Sequence, residues 1–227
     1  MKTKQLSWRK FCVSVFFMGL TIISFQFSVA QDKAAQTLQS LGGHAEDMVD
    51  FFQADDYAKA DSTYIVMQNE VASLHKQLDA TKEHGRLLAS MNTNLSTIHK
   101  SIQTKHAMNG ALASNQLTAN VMQLESFPNN AARAVARLDY LAREIILLSK
   151  ENAVKNAKLL TIRRNDIHTT WQGVRRSILK NGKNTELIAR VDKVVGQIRT
   201  TLASKTQIEE GKKLLDLVDE LEKVAGQ

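Results

Sequence analysis

Histidine and methionine are the side chains in the first half of this chain that could ligate a metal. His44 and Met48 lie one helical turn apart, and His106 and Met108 come later in the same half. If that half is an up-down-up-down bundle, the end of its first helix and the start of its fourth lie at the same end. Met48 and His106, with His44 as a substitute, are therefore candidate ligands for haem or Cu(I). The alternative is that the methionines fill core gaps and the histidines lie on the surface.

This ligand set resembles the axial haem ligation of cytochrome b562-like four-helix bundles, which place Met on the first helix and His on the fourth. The stretch TIRRNDIHTTW at residues 161–171 is also similar to the ligand helix of that family. The resemblance implies haem b as the cofactor, with Met48 and His106 as axial ligands. His168 departs from it, because it would sit on the second helix of its own unit and no methionine follows Met122.

A basic stripe in the second half is the other candidate site. Apolar residues at Ile167, Trp171, Val174 and Ile178 predict the buried face of a helix, and basic residues recur beside that face. We predict a partner-binding surface made of Arg164, His168, Arg175, Arg176, Lys180 and Lys183. Arginine suits carboxylate or phosphate groups, so the expected partner is a protein or an anionic component of the cell envelope. The alternative is a solvated face that promotes solubility.

Several kinds of chemistry are excluded by composition. The single cysteine, Cys12, lies in the N-terminal apolar segment, so the chain after that segment offers no disulfide, thiolate metal site or thiol nucleophile. The Glu-x-x-His pair of carboxylate-bridged metal sites and the phosphate-binding loop are both missing. Nucleic acid is not an expected partner, because no aromatic stacking platform accompanies the basic residues. We therefore predict no catalytic residue and no dedicated metal site, and we expect a protein that is not an enzyme.

The first thirty residues have the pattern of a secretory signal peptide. Four basic residues precede residue 11, an apolar run covers residues 11–25, and small side chains stand at Ser28 and Ala30. The apolar run is shorter than the ~20 residues that a spanning helix needs. We expect cleavage after Ala30 and a periplasmic or secreted protein that is not integral to the membrane.

The rest of the chain favours helix throughout. It has one proline and abundant Ala, Leu, Lys, Gln and Glu, and its apolar residues recur at steps of three and four. Breaks are predicted at QADD (53–56), around KEHG (82–85), before His106, at FPNN (127–130), where Asn130 can cap the next helix, and at KNGKN (180–184). The fold class expected is all-α, a helical bundle.

The apolar pattern before FPNN repeats after it. The first two helices match the fifth and sixth at an offset of 96 residues, and the third and fourth match the last two at an offset of 100. We predict two tandem, duplicated four-helix units at residues 31–127 and 128–227. One undivided eight-helix domain is the alternative. Arg163 is the exception to the repeat, because it falls on the edge of the apolar seam where the first unit has Met67.

The two predicted units differ in charge. Residues 31–127 contain 7 Lys+Arg and 11 Asp+Glu, giving −4, whereas residues 128–227 contain 19 and 12, giving +7. Oppositely charged units attract each other and present different surfaces to partners. We expect an exported helical module that acts by binding or scaffolding; the alternative is the haem- or copper-carrying bundle.

Overall fold

The computed structural model describes residues 33–78, 81–179 and 184–225, and this part of the chain is helical without any strand. Its helices are α1 (33–53), α2 (Tyr57–Gln77), α3 (Lys82–Thr104), α4 (Ala107–Leu124), α5 (Asn130–Asn152), α6 (Ala157–Ile178), α7 (Thr185–Thr200) and α8 (Ser204–Ala225). The predicted all-α helical bundle is confirmed. The predicted signal peptide, Lys180 and Lys183 lie outside the described residues.

Most predicted breaks coincide with helix ends, but two details differ. KEHG is the first turn of α3 and not a loop, because Thr81 caps this helix by accepting a 3.1 Å hydrogen bond from the backbone N–H of His84. The cap of α5 is Asn129 and not Asn130; its side chain accepts a 2.9 Å hydrogen bond from Ala132 N. In both cases the polar residue one step outside the helix satisfies the first-turn N–H groups.

Helices α1 to α4 enclose one apolar core. Contacts between Thr37 and Gln77 and between His44 and Glu70 show that α1 and α2 run antiparallel. Large buried side chains that pack in this core include Phe52, Leu41, Met48, Met67, Leu74, Met91, Ile98 and Leu117. The turns after α1 and α3 meet at one end, where the Tyr57 hydroxyl donates a 3.0 Å hydrogen bond to the carbonyl of Lys105.

Helices α5 to α8 enclose a second core. The indole of Trp171 is its largest fully buried side chain, and leucine, isoleucine and valine from all four helices surround it. The two cores meet along α5. Leu147 of α5 packs into the first core, and Ala119 of α4 packs into the second.

The second half of α5 is consequently covered on almost every side. Its residues from Tyr140 to Ser149 are buried with the sole exception of Arg143, which is half-buried. Arg143 reaches α1 through Glu46 Oε2 at 3.0 Å, and Lys150 reaches Gln53 on the same helix, so α1 and α5 run parallel. A helix that is apolar on most of its circumference belongs in the interior. The two sets of four helices therefore share α5 as a common wall.

Two glycines allow the closest helix approaches. A Cβ at Gly110 of α4 would lie 2.2 Å from Cζ of Phe52 on α1, and a Cβ at Gly211 of α8 would lie 2.7 Å from Cγ1 of Ile146 on α5. Real side-chain atoms do not approach so closely, so only glycine lets these helices pack at their observed separation.

Candidate functional site

The predicted haem or copper ligands occupy different environments. Met48 is fully buried in the first core, whereas His106 is exposed as the N-cap residue of α4. His44 is half-buried on α1, and its Nδ1 lies 3.0 Å from Glu70 Oε2 of α2. Met108 packs against the edge of the core. The structure thus places the four residues in the same half of the chain, but not around one point.

The register between α1 and α4 separates Met48 from His106. Gly42 faces Val121, and Phe52 covers Gly110, so Met48 is level with Ser114, eight residues beyond His106. Eight residues correspond to roughly 12 Å along a helix, whereas metal–ligand bonds are only about 2–2.3 Å. This arrangement does not fit an axial pair. Cofactor binding by these residues remains a prediction without support from the geometry.

Three members of the predicted basic stripe, Arg164, His168 and Arg175, contact α7 or the residue that follows it. Arg164 is buried; its guanidinium donates to the carbonyl of Thr201 and, at 2.9 Å, to the Thr161 hydroxyl. His168 Nε2 lies 3.1 Å from an Arg199 nitrogen across the same seam. Two members of the stripe are thus engaged with neighbouring protein groups.

A network around Asp192 holds a third member of the stripe. Arg175 donates to both carboxylate oxygens of Asp192, at 2.8 and 2.7 Å, and the indole N–H of Trp171 donates to Oδ1 at 2.7 Å. These donors, that of Arg175 first, hold the pKa of Asp192 below its ordinary value. Arg175 therefore joins α6 to α7. Of the six predicted partner-binding residues, Arg176 is exposed without a hydrogen bond or ion pair among the described residues.

Arg163 extends past the apolar seam to a buried carboxylate. Its Nε lies 2.7 Å from Glu144 Oε2, and its Nη1 donates to Asp166 at 3.1 Å. Burial, followed by the negative charge of Glu144, raises the pKa of the nearby Tyr140 phenol. The unusual position of Arg163 in the repeat is explained by this ion pair between α5 and α6.

Carboxylates surround Arg143 where α1, α4, α5 and α8 meet. Arg143 is 3.0 Å from both Glu46 and Asp139, and the same cavity is lined by Glu125, Asp219 and Glu222. Burial, together with the charge of Asp139, raises the pKa of Glu46 to about 7. Burial also raises the pKa of Asp139 and of Glu222. The contact between the halves thus contains more carboxylates than its one guanidinium can neutralise.

Two arginines that the sequence did not single out have no carboxylate partner among the described residues. Arg133 and Arg137 are exposed one turn apart on α5, and neither makes a hydrogen bond or ion pair among the described residues. The carbon at the centre of the Arg133 guanidinium lies 5.6 Å from the centre of the Phe127 ring. Their spacing of four residues near a helix start was the available signal. That spacing alone does not distinguish Arg133 and Arg137 from arginines that have partners. The arginines with partners are Arg143, Arg163, Arg164, Arg175 and Arg190.

The described ranges contain no group of three or more His, Cys, Asp or Glu side chains arranged to hold a metal ion. In the same ranges, no helix has both the length and the apolar character of a membrane span. Searches with family models, among curated proteins and among solved structures found no match to this chain.

Proposed function

We propose that this chain is an exported, non-enzymatic binding module, made of two duplicated four-helix units after a cleaved signal peptide, which holds an anionic partner at the cell envelope. The proposed contact surface is the basic face of the second unit formed by Arg133, Arg137 and Arg176. The observation that carries this proposal is that these three arginines lack a carboxylate partner among the described residues.

The contrast with four other arginines of the second unit gives this observation its weight. Arg143, Arg163, Arg175 and Arg190 each lie within 3.0 Å of a carboxylate oxygen. Their charge is already neutralised within the protein. The charge of the three unpaired arginines is available to a partner, and exposed cations of this kind attract anionic surfaces over several ångströms.

The duplication is supported by equivalent contacts between neighbouring helices. His75 of α2 lies 3.1 Å from the Asn92 amide of α3. Adding the offsets of 96 and 100 leads to Trp171 of α6 and Asp192 of α7, which form the 2.7 Å hydrogen bond described above. The residue types differ, but both pairs join the second helix of a unit to its third at the same level.

A second pair of contacts obeys the same offsets. The Asn120 amide of α4 donates to the Ser90 hydroxyl of α3 at 3.0 Å. Adding 100 to each number leads to Glu220 of α8 and Arg190 of α7, whose side chains form a bidentate ion pair at 2.6 and 2.9 Å. Two independent coincidences of register are the expected trace of one ancestral unit copied in tandem.

Vesicle binding tests the proposed surface. We expect the exported protein to co-sediment with phosphatidylcholine vesicles that contain phosphatidylglycerol, and the double variant Arg133→Glu/Arg137→Glu to bind at least roughly 30-fold more weakly. That factor corresponds to about 1 kcal/mol for each basic residue removed from an anionic surface.

The matched control is Lys82→Glu/Arg86→Glu, which changes net charge equally at two exposed positions one turn apart on α3. It should bind like the wild type. Equal binding by both double variants would show that this face is not the contact surface. Mass spectrometry of the exported protein should give Gln31 as its first residue; an intact Met1 would refute the export proposal.

A further inference from the structure

A surface groove of about 410 Å³ lies between α5 and α6 on the proposed contact surface. Its lining includes Arg133 and Arg137 of α5 and Thr169, Thr170, Gly173 and Ser177 of α6. This volume is in the range of sites for small molecules, about 300–1,000 Å³. The groove is therefore large enough for a ligand and not only for a row of water molecules.

Small side chains keep the groove open. Ala131 and Ala134 line it from α5, and a Cβ added at Gly173 of α6 would meet no atom within 4 Å. Glycine inside a helix is unfavourable by about 0.5–1 kcal/mol relative to alanine. At Gly110 close packing of Phe52 explains the glycine, but at Gly173 no protein group takes the space.

The hydroxyl groups of the groove differ from many of those in the other described helices. Many serine and threonine side chains in these helices donate to the carbonyl four residues earlier, as Thr161 does to Ala157 at 2.9 Å. The side-chain hydroxyls of Thr169, Thr170 and Ser177 make no hydrogen bond among the described residues. Three hydroxyl donors are therefore unused on the α6 wall.

The charge of the groove is positive. Arg133 and Arg137 supply two unpaired guanidinium groups from α5. The acidic residue among the described lining residues, Asp166, already accepts a 3.1 Å hydrogen bond from Arg163. Its charge is thus largely taken up within the protein.

We propose that this groove is a binding site for a phosphate monoester group, held by Arg133 and Arg137 from one wall and by the hydroxyls of Thr169, Thr170 and Ser177 from the other. The inference rests on the proposed function and adds the chemistry of the ligand. A phosphate monoester carries about −1.5 to −2 charges and three acceptor oxygens. It can therefore engage both guanidinium groups and donors from the second wall, whereas a carboxylate has one charge and two oxygens.

The phosphate group can belong to a soluble ester or to a lipid headgroup, and two probes distinguish these sources. Glycerol 3-phosphate titrated into the exported protein, monitored by calorimetry, tests the soluble source. Co-sedimentation with phosphatidylcholine vesicles containing phosphatidic acid tests the lipid source. Sodium acetate, at the same ionic strength, is the comparison anion for the titration.

The decisive variant is one that fills the groove without changing its charge. Gly173→Gln places an amide side chain in the open space, and the matched control Gly196→Gln does the same on the exposed side of α7, where a Cβ also meets no atom within 4 Å. We expect Gly173→Gln to weaken binding of at least one phosphate probe tenfold or more, and Gly196→Gln to leave it unchanged. Fluorescence of the buried Trp171 verifies that both variants are folded.

The outcomes separate this inference from the proposed function. Loss of binding to the soluble ester or to the vesicles in Gly173→Gln supports the groove and identifies the phosphate source. If Arg133→Glu/Arg137→Glu loses vesicle binding but Gly173→Gln binds both phosphate probes as the wild type does, the basic surface stands and the groove site is refuted. Binding of acetate as tight as that of glycerol 3-phosphate would also refute it. If neither variant alters vesicle binding, the proposed function fails as well.

Discussion

Arg163 and Glu144 form an ion pair of 2.7 Å between α6 and α5, at positions whose equivalents in the first four helices are methionines. Subtracting the offset of 96 from each number gives Met67 and Met48, both fully buried. One half of the chain thus pairs a buried carboxylate with a half-buried guanidinium at positions where the other half has two buried methionines. Such pairs cost free energy of desolvation, so they often contribute little net stability compared with apolar side chains of similar volume.

This relationship predicts the stability of three variants. Arg163→Met should lower the free energy of unfolding by about 2–4 kcal/mol, because it leaves the buried Glu144 carboxylate uncompensated. Glu144→Met should cost less, because the Arg163 guanidinium keeps its 3.1 Å ion pair with Asp166. The double variant Glu144→Met/Arg163→Met should lie within about 1 kcal/mol of the wild type, since it copies the first half. Urea unfolding measures all three. A double variant as unstable as the sum of the single variants would contradict this account.

Close packing at Gly110 predicts that a single methyl group is harmful there. The Cβ of Gly110→Ala would lie 2.2 Å from the Phe52 ring, and overpacking of this kind costs about 1–3 kcal/mol. Gly196→Ala, at an open position, should instead stabilise α7 by about 0.5–1 kcal/mol. Thermal unfolding compares the two. Phe52→Leu should restore part of the loss when it is combined with Gly110→Ala; failure to do so would place the strain elsewhere.

The position of Leu147 leads to a prediction of how unfolding of one half is coupled to unfolding of the other. Its side chain comes from α5 but packs in the core of α1 to α4, so Leu147→Ala opens a cavity in the first core and should cost about 2–5 kcal/mol. Trp171, the one tryptophan after the predicted signal peptide, reports unfolding of the second core. In the wild type, circular dichroism and tryptophan fluorescence should give the same transition.

In Leu147→Ala the helical signal should begin to fall at lower urea concentration than the fluorescence. Leu138→Ala, which removes a leucine of the same helix from the second core, is the control and should shift the fluorescence transition itself. Separate transitions in the wild type would show instead that the packing of α5 against the first core does not couple the unfolding of the two units.

The sequence predicted the helices well because apolar spacing fixes which face of a helix is buried. It predicted a flanking position for Arg164 and Arg175 on α6, whereas Arg164 is buried and Arg175 is half-buried. It could not show that α7 covers them, because the pattern of one helix gives the direction of a side chain but not the neighbour that it meets. For the same reason Arg133 and Arg137 were missed: an arginine without a partner looks the same in sequence as a paired one. Likewise, His106 and Met48 have suitable chemistry, and only the register between α1 and α4 separates them.

The carboxylates around Arg143 predict that stability depends on pH. The pKa of Glu46 is raised to about 7 in the folded protein, above its ordinary value of 4.5. A group with a raised folded pKa stabilises the fold fully below its unfolded pKa, and this contribution is lost as the pH rises through the folded pKa. The contribution of Glu46 should therefore be present at pH 4.5 and absent above pH 7.

Glu46→Gln tests this sign, because the amide cannot ionise but can still accept a hydrogen bond from Arg143. Relative to the wild type, the variant should gain stability between pH 5 and pH 8, by on the order of 1 kcal/mol because solvent screens the partly exposed carboxylate. Asp139, Asp219, Glu222 and Glu125 face the same cavity and are present in both proteins, so the difference between the two isolates Glu46. Urea unfolding across this pH range measures it. If the variant instead loses stability relative to the wild type as the pH rises, the ion pair with Arg143 outweighs burial at this contact.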